Sequence, residues 1–243
     1  MATVFGKSDI GQVRPTNQDC FDYGTTDKNL TWVAVCDGMG GTSGGDIASK
    51  LAAEGVKYTI MNDLPEDISH DTMEQFLKKA IDKANFEIFD KAQKESELAG
   101  MGTTIVLLVL FEDKFHIAYV GDSRAYLVRD AKIEQLTVDH SMVQQLIDGG
   151  EITDEEAKSH PQKNIITRAL GINKVVEVDY LVKEKLDGDL MIVCTDGLTN
   201  YLSQDEILSC AMENQGEALV DQLISIANER GGNDNITAVV VSD

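Results

Sequence analysis

The sequence predicts an α+β fold in which two mostly antiparallel β-sheets carry helices on their outer faces. Three observations predict it: strand-like runs follow one another in mid-chain without helices between them, helical patterns come in separate groups, and the strands are too many for one comfortable sheet. With 243 residues and 42% apolar content, the chain is long enough to bury a substantial core. It has only three prolines and no low-complexity tract or repeat to mark a linker, so a single domain over 1–243 is expected.

Taken in order, LTWVAVCDG at 30–38 is a short apolar run closed by a turn signal, as a buried strand requires. Two amphipathic helices follow, at about 45–61 and 71–94. The first places Ile47, Leu51, Val56 and Ile60 on one face, and the second does so with Phe76, Leu77, Ala80, Ile81, Ala84 and Ile88. Next come TTIVLLVL, KFHIAYVGD, SRAYLVRD and KIEQLT, joined by tight connectors in the pattern of an antiparallel meander. A mixed region at 141–173 with short helical patterns leads to two more strands, VVEVDYLV and DLMIVCTDG. Helices near 203–212 and 217–229 then precede a last strand, NITAVVVSD.

The formal charge of −21, from 42 acids against 21 Lys and Arg, repels a phosphate backbone and supplies no basic stripe, which argues against nucleic-acid binding. Cys20, Cys36, Cys194 and Cys210 show neither CxxC pairing nor finger-like spacing, so buried, reduced thiols in a cytoplasmic protein are expected. The N-terminus lacks the regions of a signal peptide, and the most apolar stretch, 101–111, is too short to span a bilayer; no membrane partner is expected.

The informative feature is where the acids stand. Asp37 ends AVCDG, Asp122 ends AYVGD, Asp196 ends IVCTDG and Asp234 opens the last strand. Asp-Gly after a strand is also an ordinary turn signal, but four such placements at the lips of buried elements weaken that explanation. Carboxylates gathered near a core repel one another and are costly to desolvate, so their convergence requires cations between them. Oxygen-only ligands select hard ions, Mn²⁺ or Mg²⁺, and no histidine is placed for a zinc site. Two ions about 3.5–4 Å apart can activate a bridging water and clamp an in-line displacement at phosphorus. Arg14, held extended by Pro15 and five residues before Asp19, offers a guanidinium suited to two phosphate oxygens; a surface arginine is the plainer reading.

VRPTNQD, CDGMGG, MGTT, VGDSRAYL, LTVDHS, TRALG, CTDGL and GGNDNIT occur in the order and approximate spacing of the metal-dependent PPM family, the protein phosphatase 2C type, and the chain resembles its short bacterial members over nearly its whole length. The resemblance implies an αββα sandwich and hydrolysis of phosphoserine and phosphothreonine on proteins. It further implies that Asp37 bridges two ions, one of them touched by the Gly38 carbonyl, that Asp196 and Asp234 complete the shell of the second ion, and that Asp19 joins the cluster, through water or directly. Asp122 with Asp196 would hold a third, weaker ion, and Arg14 would grip the substrate phosphate. The segment 141–171 would be a flap-like insertion bearing on substrate choice. Phosphoprotein substrates of a cognate Ser/Thr kinase and a monomeric state are the corresponding partner expectations.

One departure is Met39, where many eukaryotic members carry a histidine thought to act as general acid; this leaves the proton donor unassigned, with His140 and His160 more simply read as structural. Competing readings fare worse. CDGMGGTSGGDIA fails the GxGxxG spacing at Ser43 and is followed by another helix, and a cyclase or polymerase would want a basic triphosphate cradle. A non-catalytic module of the same fold is disfavoured because every acid and Arg14 are present.

Overall fold

The computed structural model describes residues 2–242, apart from the side chains of 41–43 and 154. Eleven strands are described: β1 Thr3–Asp9, β2 Asp19–Thr25, β3 Thr31–Met39, β4 Gly102–Thr103, β5 Ile105–Phe111, β6 Lys114–Val120, β7 Arg124–Arg129, β8 Lys132–Gln135, β9 Asp179–Glu184, β10 Leu190–Cys194 and β11 Ile236–Ser242. The α-helices are α1 Gly41–Asn62, α2 His70–Lys94, α3 Met142–Asp148, α4 Asp154–Lys158, α5 Asp196–Thr199, α6 Gln204–Glu213 and α7 Gly216–Glu229. One sheet runs β1-β11-β10-β7-β8 and the other β2-β3-β5-β6-β9, with β4 paired to β3; all pairings are antiparallel.

The period of two along each strand divides its side chains between two cores. Val33, Val35, Val106, Leu108 and Ile117 of one sheet meet Ala125, Leu127, Met191, Val193 and Val239 of the other across the sandwich. The alternate residues Trp32, Ala34, Cys36, Leu107 and Val109 pack outward on α1 and α2, including Val56, Ile60, Phe76, Leu77, Ile81 and Ile88. On the far side Ile192, Cys194, Ala238 and Val240 are covered by α6 and α7 through Ile207, Leu219, Leu223 and Ile224. Four layers result, in the order helix, sheet, sheet, helix.

The expected meander is corrected to two hairpins in different sheets. β5 pairs β6 and β7 pairs β8, but β6 and β7 do not pair, because the chain crosses between the sheets at 121–123. Alternation reports which residues face inward without saying which sheet a strand joins. β1 and β2, at the sheet edges, were not anticipated; their side chains are mostly half-buried, so the apolar pattern is weak. Segment 141–171 contains α3 and α4 and returns to the body through a Thr103–Leu170 bridge, with Gly171 N–H donating to Asn85 Oδ1 at 2.8 Å.

All four cysteines are free thiols, and burial is the first cause raising each of them above its ordinary range. No described helix is long and apolar enough to cross a membrane.

Candidate metal centre

The centre forms where strand ends of the two sheets meet. β2 and β3 pair with Asp19 directly opposite Asp37, a like-charge pair that a sheet disfavours. From the facing sheet, β10 leads through Thr195 into Asp196 at the start of α5, and Asp234 precedes β11. Asp122 follows the end of β6. Asp19 and Asp122 are buried, whereas Asp37, Asp196 and Asp234 are half-buried, so the group has a closed inner wall and a mouth open to solvent.

The wall requires close backbone approach. A Cβ on Gly38 would stand 2.0 Å from Gly45 O and 2.5 Å from Gln18 O, so β3 can touch both the start of α1 and the β2 entry only if residue 38 is glycine. Gly38 N–H donates to Gln18 O at 3.1 Å. Asp37 N–H donates to Thr104 Oγ1 at 2.9 Å, and that hydroxyl lies 2.7 Å from Ser123 Oγ, linking Asp37 to the crossing that carries Asp122.

Asp19 is held by two hydroxyls: Thr195 Oγ1 and Thr237 Oγ1 donate to Oδ2 at 2.9 and 2.7 Å. Burial nevertheless pushes Asp19 up to about 7, those two donors opposing it and Asp196 and Asp234 adding repulsion. Burial, then the charges of Asp19, Asp196, Asp122 and Asp234, raises Asp37 well above the carboxylate range. Asp122 is pushed up to about 8 by burial and Asp196, and Asp196 is raised by burial and Asp234. Each charge is thus made unstable chiefly by desolvation and then by its neighbours, the condition that bound cations relieve.

Two further observations fit divalent ions. Asp122 Oδ1 is buried with no hydrogen-bond partner among the described residues. Arg14 stands in as a cation, its Nη2 donating to Asp234 Oδ2 at 2.8 Å. The carboxylate donors suit hard cations.

All the sequence-predicted acids therefore converge, and Arg14 lies in the β1–β2 loop against Asp234. Sequence reasoning missed the supporting layer: Thr195 and Thr237 on Asp19, Thr104 under Asp37, and Asn235. Buried Asn235 accepts from Gln18 N–H at 2.8 Å and donates to Ile10 O and Thr16 O at 2.9 and 3.0 Å, clamping the loop that carries Arg14. All four stand inside the motifs that carry the family resemblance, but nothing local to them shows which acid or loop they meet. His140 accepts Gly121 N–H at Nδ1, which leaves Nε2–H directed to Asp179 Oδ2 at 3.2 Å, so both ring nitrogens are engaged in structure. His160 Nδ1 accepts from Gln162 N–H within its own turn.

The profile of protein phosphatase 2C matches residues 6–240. The chain is 38% identical over 242 residues to the serine/threonine phosphatase stp of Listeria monocytogenes, covering 97% of this chain and 93% of that protein. It is 36% identical to protein phosphatase PhpP of Streptococcus pneumoniae over 238 residues, 97% and 95% of the two chains. Among solved structures, the S. agalactiae serine/threonine phosphatase superposes with a TM-score of 0.94 at 35% identity, covering 100% of this chain and 99% of that one. The catalytic domain of the phosphatase PstP in complex with two manganese ions gives a TM-score of 0.86 at 32% identity over 99% and 97% of the chains. Motif order, four-layer fold and acidic strand ends agree with these likenesses: the chain belongs to the protein phosphatase 2C family of metal-dependent serine/threonine phosphatases.

Proposed function

We propose that the chain removes phosphate from phosphoserine and phosphothreonine of proteins at this aspartate cluster, with two core ions, Mn²⁺ or Mg²⁺. The observation that carries the reading is the convergence of Asp19, Asp37, Asp196 and Asp234 from both sheets, where desolvation and neighbouring charge oppose the ionisation of Asp19, Asp37 and Asp196. When bound, the ions supply an activated water and neutralise phosphoryl charge. Asp37, Asp196 and Asp234, with the Gly38 carbonyl, hold them, and Asp19 braces the inner wall. Asp122 with Asp196 holds a third, weaker ion, in keeping with the unpartnered Asp122 Oδ1.

Arg14 sits at the mouth, half-exposed, with four further N–H donors beyond the one engaged by Asp234, and it receives the substrate phosphate. Residues 1–243 act as one catalytic domain, and 141–171 serve as a flap. A cavity of about 380 Å³ lies between Met39 and this segment's end, lined by Ile166, Arg168, Ile172, Val175 and Glu177. It gives the residues flanking the phosphorylated position an apolar wall with two charges, which supports a role of the flap in substrate choice. The substrates are phosphoproteins of a cognate Ser/Thr kinase, and the enzyme works as a cytoplasmic monomer.

The test is phosphate release from a phosphothreonine peptide with Mn²⁺, repeated after full chelation and with Asp37→Asn. Turnover that persists without metal, or in the variant at the wild-type rate, overturns the reading.

A further inference from the structure

His70 opens α2, and Glu112 and Asp113 form the two-residue tip of the β5–β6 hairpin. The ligand atoms of these three side chains all lie within 4.8 Å of one another. His70 Nε2 is 3.2 Å from Glu112 Oε2 and 3.4 Å from Asp113 Oδ1. In a tetrahedral zinc shell with bonds of about 2.0–2.2 Å, adjacent ligand atoms stand about 3.3–3.6 Å apart. Both separations therefore fall close to the edge length of one such tetrahedron.

The other side of His70 is equally built. Its Nδ1 meets His116 Nε2 at 3.0 Å, and His116 Nδ1 meets the Tyr180 hydroxyl at 2.6 Å. The two imidazoles stack with centroids 5.2 Å apart, and Phe111 closes the edge of His70 at 5.4 Å. His116 is buried, and burial disfavours its charged form. A relay in which His70 Nδ1–H donates to His116 and His116 Nδ1–H donates to Tyr180 leaves the Nε2 lone pair of His70 aimed at the two carboxylates. A metal-ligating histidine has this arrangement, with its second nitrogen donating to a fixed partner. In that tautomer the bare lone pair faces two carboxylates, which is repulsive unless a positive charge lies between them; in the opposite tautomer Nε2–H donates to the carboxylates and no ion is needed.

We propose that His70, Glu112 and Asp113 hold one zinc-class divalent ion through an imidazole nitrogen and two carboxylates, at a structural site separate from the catalytic centre. The imidazole favours this class of ion over Mg²⁺. The N-terminus of α2 opposes a cation with about half a charge, which two full carboxylate charges outweigh. The site lies at the opposite end of β5 from Thr104, roughly 20 Å away at strand rise, and it fastens α2 to the hairpin tip. Glu112 and Asp113 are 66% and 74% exposed at their side chains, so the ion exchanges from solvent.

Zinc titration calorimetry in saturating Mg²⁺ tests this on the wild type, His70→Gln and the double variant Glu112→Gln/Asp113→Asn. The wild type takes up one Zn²⁺ equivalent more than either variant, and Zn²⁺ raises its Tm but not theirs, while Mn²⁺-dependent hydrolysis is the same in all three. The exposed hairpin side chains make the double variant safe for folding if His70→Gln is not. Equal zinc uptake by the wild type and the double variant overturns the proposal. Absence of uptake by the wild type overturns it too, leaving His70 Nε2–H as a hydrogen-bond donor to the two acids.

Discussion

Replacing Thr237 with valine tests whether the layer behind the aspartates sets metal affinity. Thr237 Oγ1 is fully buried and gives Asp19 Oδ2 the shorter of its two hydroxyl hydrogen bonds, 2.7 Å against 2.9 Å from Thr195. Valine keeps the branched shape and suits a strand, so no cavity opens. The lost donor leaves Ser8 Oγ without its contact at 2.8 Å, but Ser8 is half-buried and still accepts from Asn17. Thr195→Val is the poorer probe, because Thr195 Oγ1 also accepts the buried Thr237 N–H at 3.0 Å. A hydrogen bond to a charged acceptor contributes about 1.5–3 kcal/mol. Losing it from ionised Asp19 lowers affinity for the ions that this charge supports by about ten- to hundredfold. Calorimetric Mn²⁺ titration should show that loss, and p-nitrophenyl phosphate hydrolysis should need correspondingly more Mn²⁺, with Tm recorded in parallel. A Mn²⁺ dissociation constant equal to wild type in a folded variant would refute the reasoning.

Arg14→Ala should raise KM for a phosphopeptide by about tenfold, close to 1.4 kcal/mol, with a smaller effect on kcat; an unchanged KM would make Arg14 a surface charge. Gly38→Ala forces a methyl against the Gly45 and Gln18 carbonyls and should destabilise the protein by about 1–3 kcal/mol, seen as a lower urea midpoint; a wild-type midpoint would show that α1 can move away freely. Arg129 binds buried Asp189 through Nε and Nη2 at 2.7 and 2.6 Å. Although burial pushes the Asp189 carboxyl up, Arg129 and the Leu186 N–H hold it below its usual value. The pair's stabilisation is therefore present above the ordinary carboxylate pKa and lost as pH falls through the lower folded value. Arg129→Met should cost about 2 kcal/mol near neutrality, less than a fully buried pair because Arg129 is partly solvated. The deficit should shrink on acidification, and a constant deficit from pH 7 to 3 would argue that only packing was lost.

Much of the molecule was legible in the residues alone. Periods of 3.6 and 2 placed α1, α2 and the interior strands, because these elements bury an unbroken face and burial writes itself into the apolar pattern. Asp37, Asp122, Asp196 and Asp234 stood out because charged side chains at the ends of buried strands demand an explanation that a surface acid does not. The second layer was harder to see. Threonine in a strand is unremarkable by composition, and nothing local in Thr195 or Thr237 announces that both hydroxyls point at an acid some 200 residues away in the chain.

By itself the sequence determined the α+β class and singled out the strand-end acids as candidates for cation-dependent chemistry, since these follow from local pattern and from the intrinsic cost of unpaired carboxylates. Only the tertiary structure decided that β6 and β7 belong to different sheets, that Asp19 faces Asp37 across a ladder, and that His70 meets the β5–β6 tip. Side-chain periodicity tells which way a residue points relative to its own strand or helix. The partner it meets depends on how the layers stack, and that is settled by packing over the whole chain.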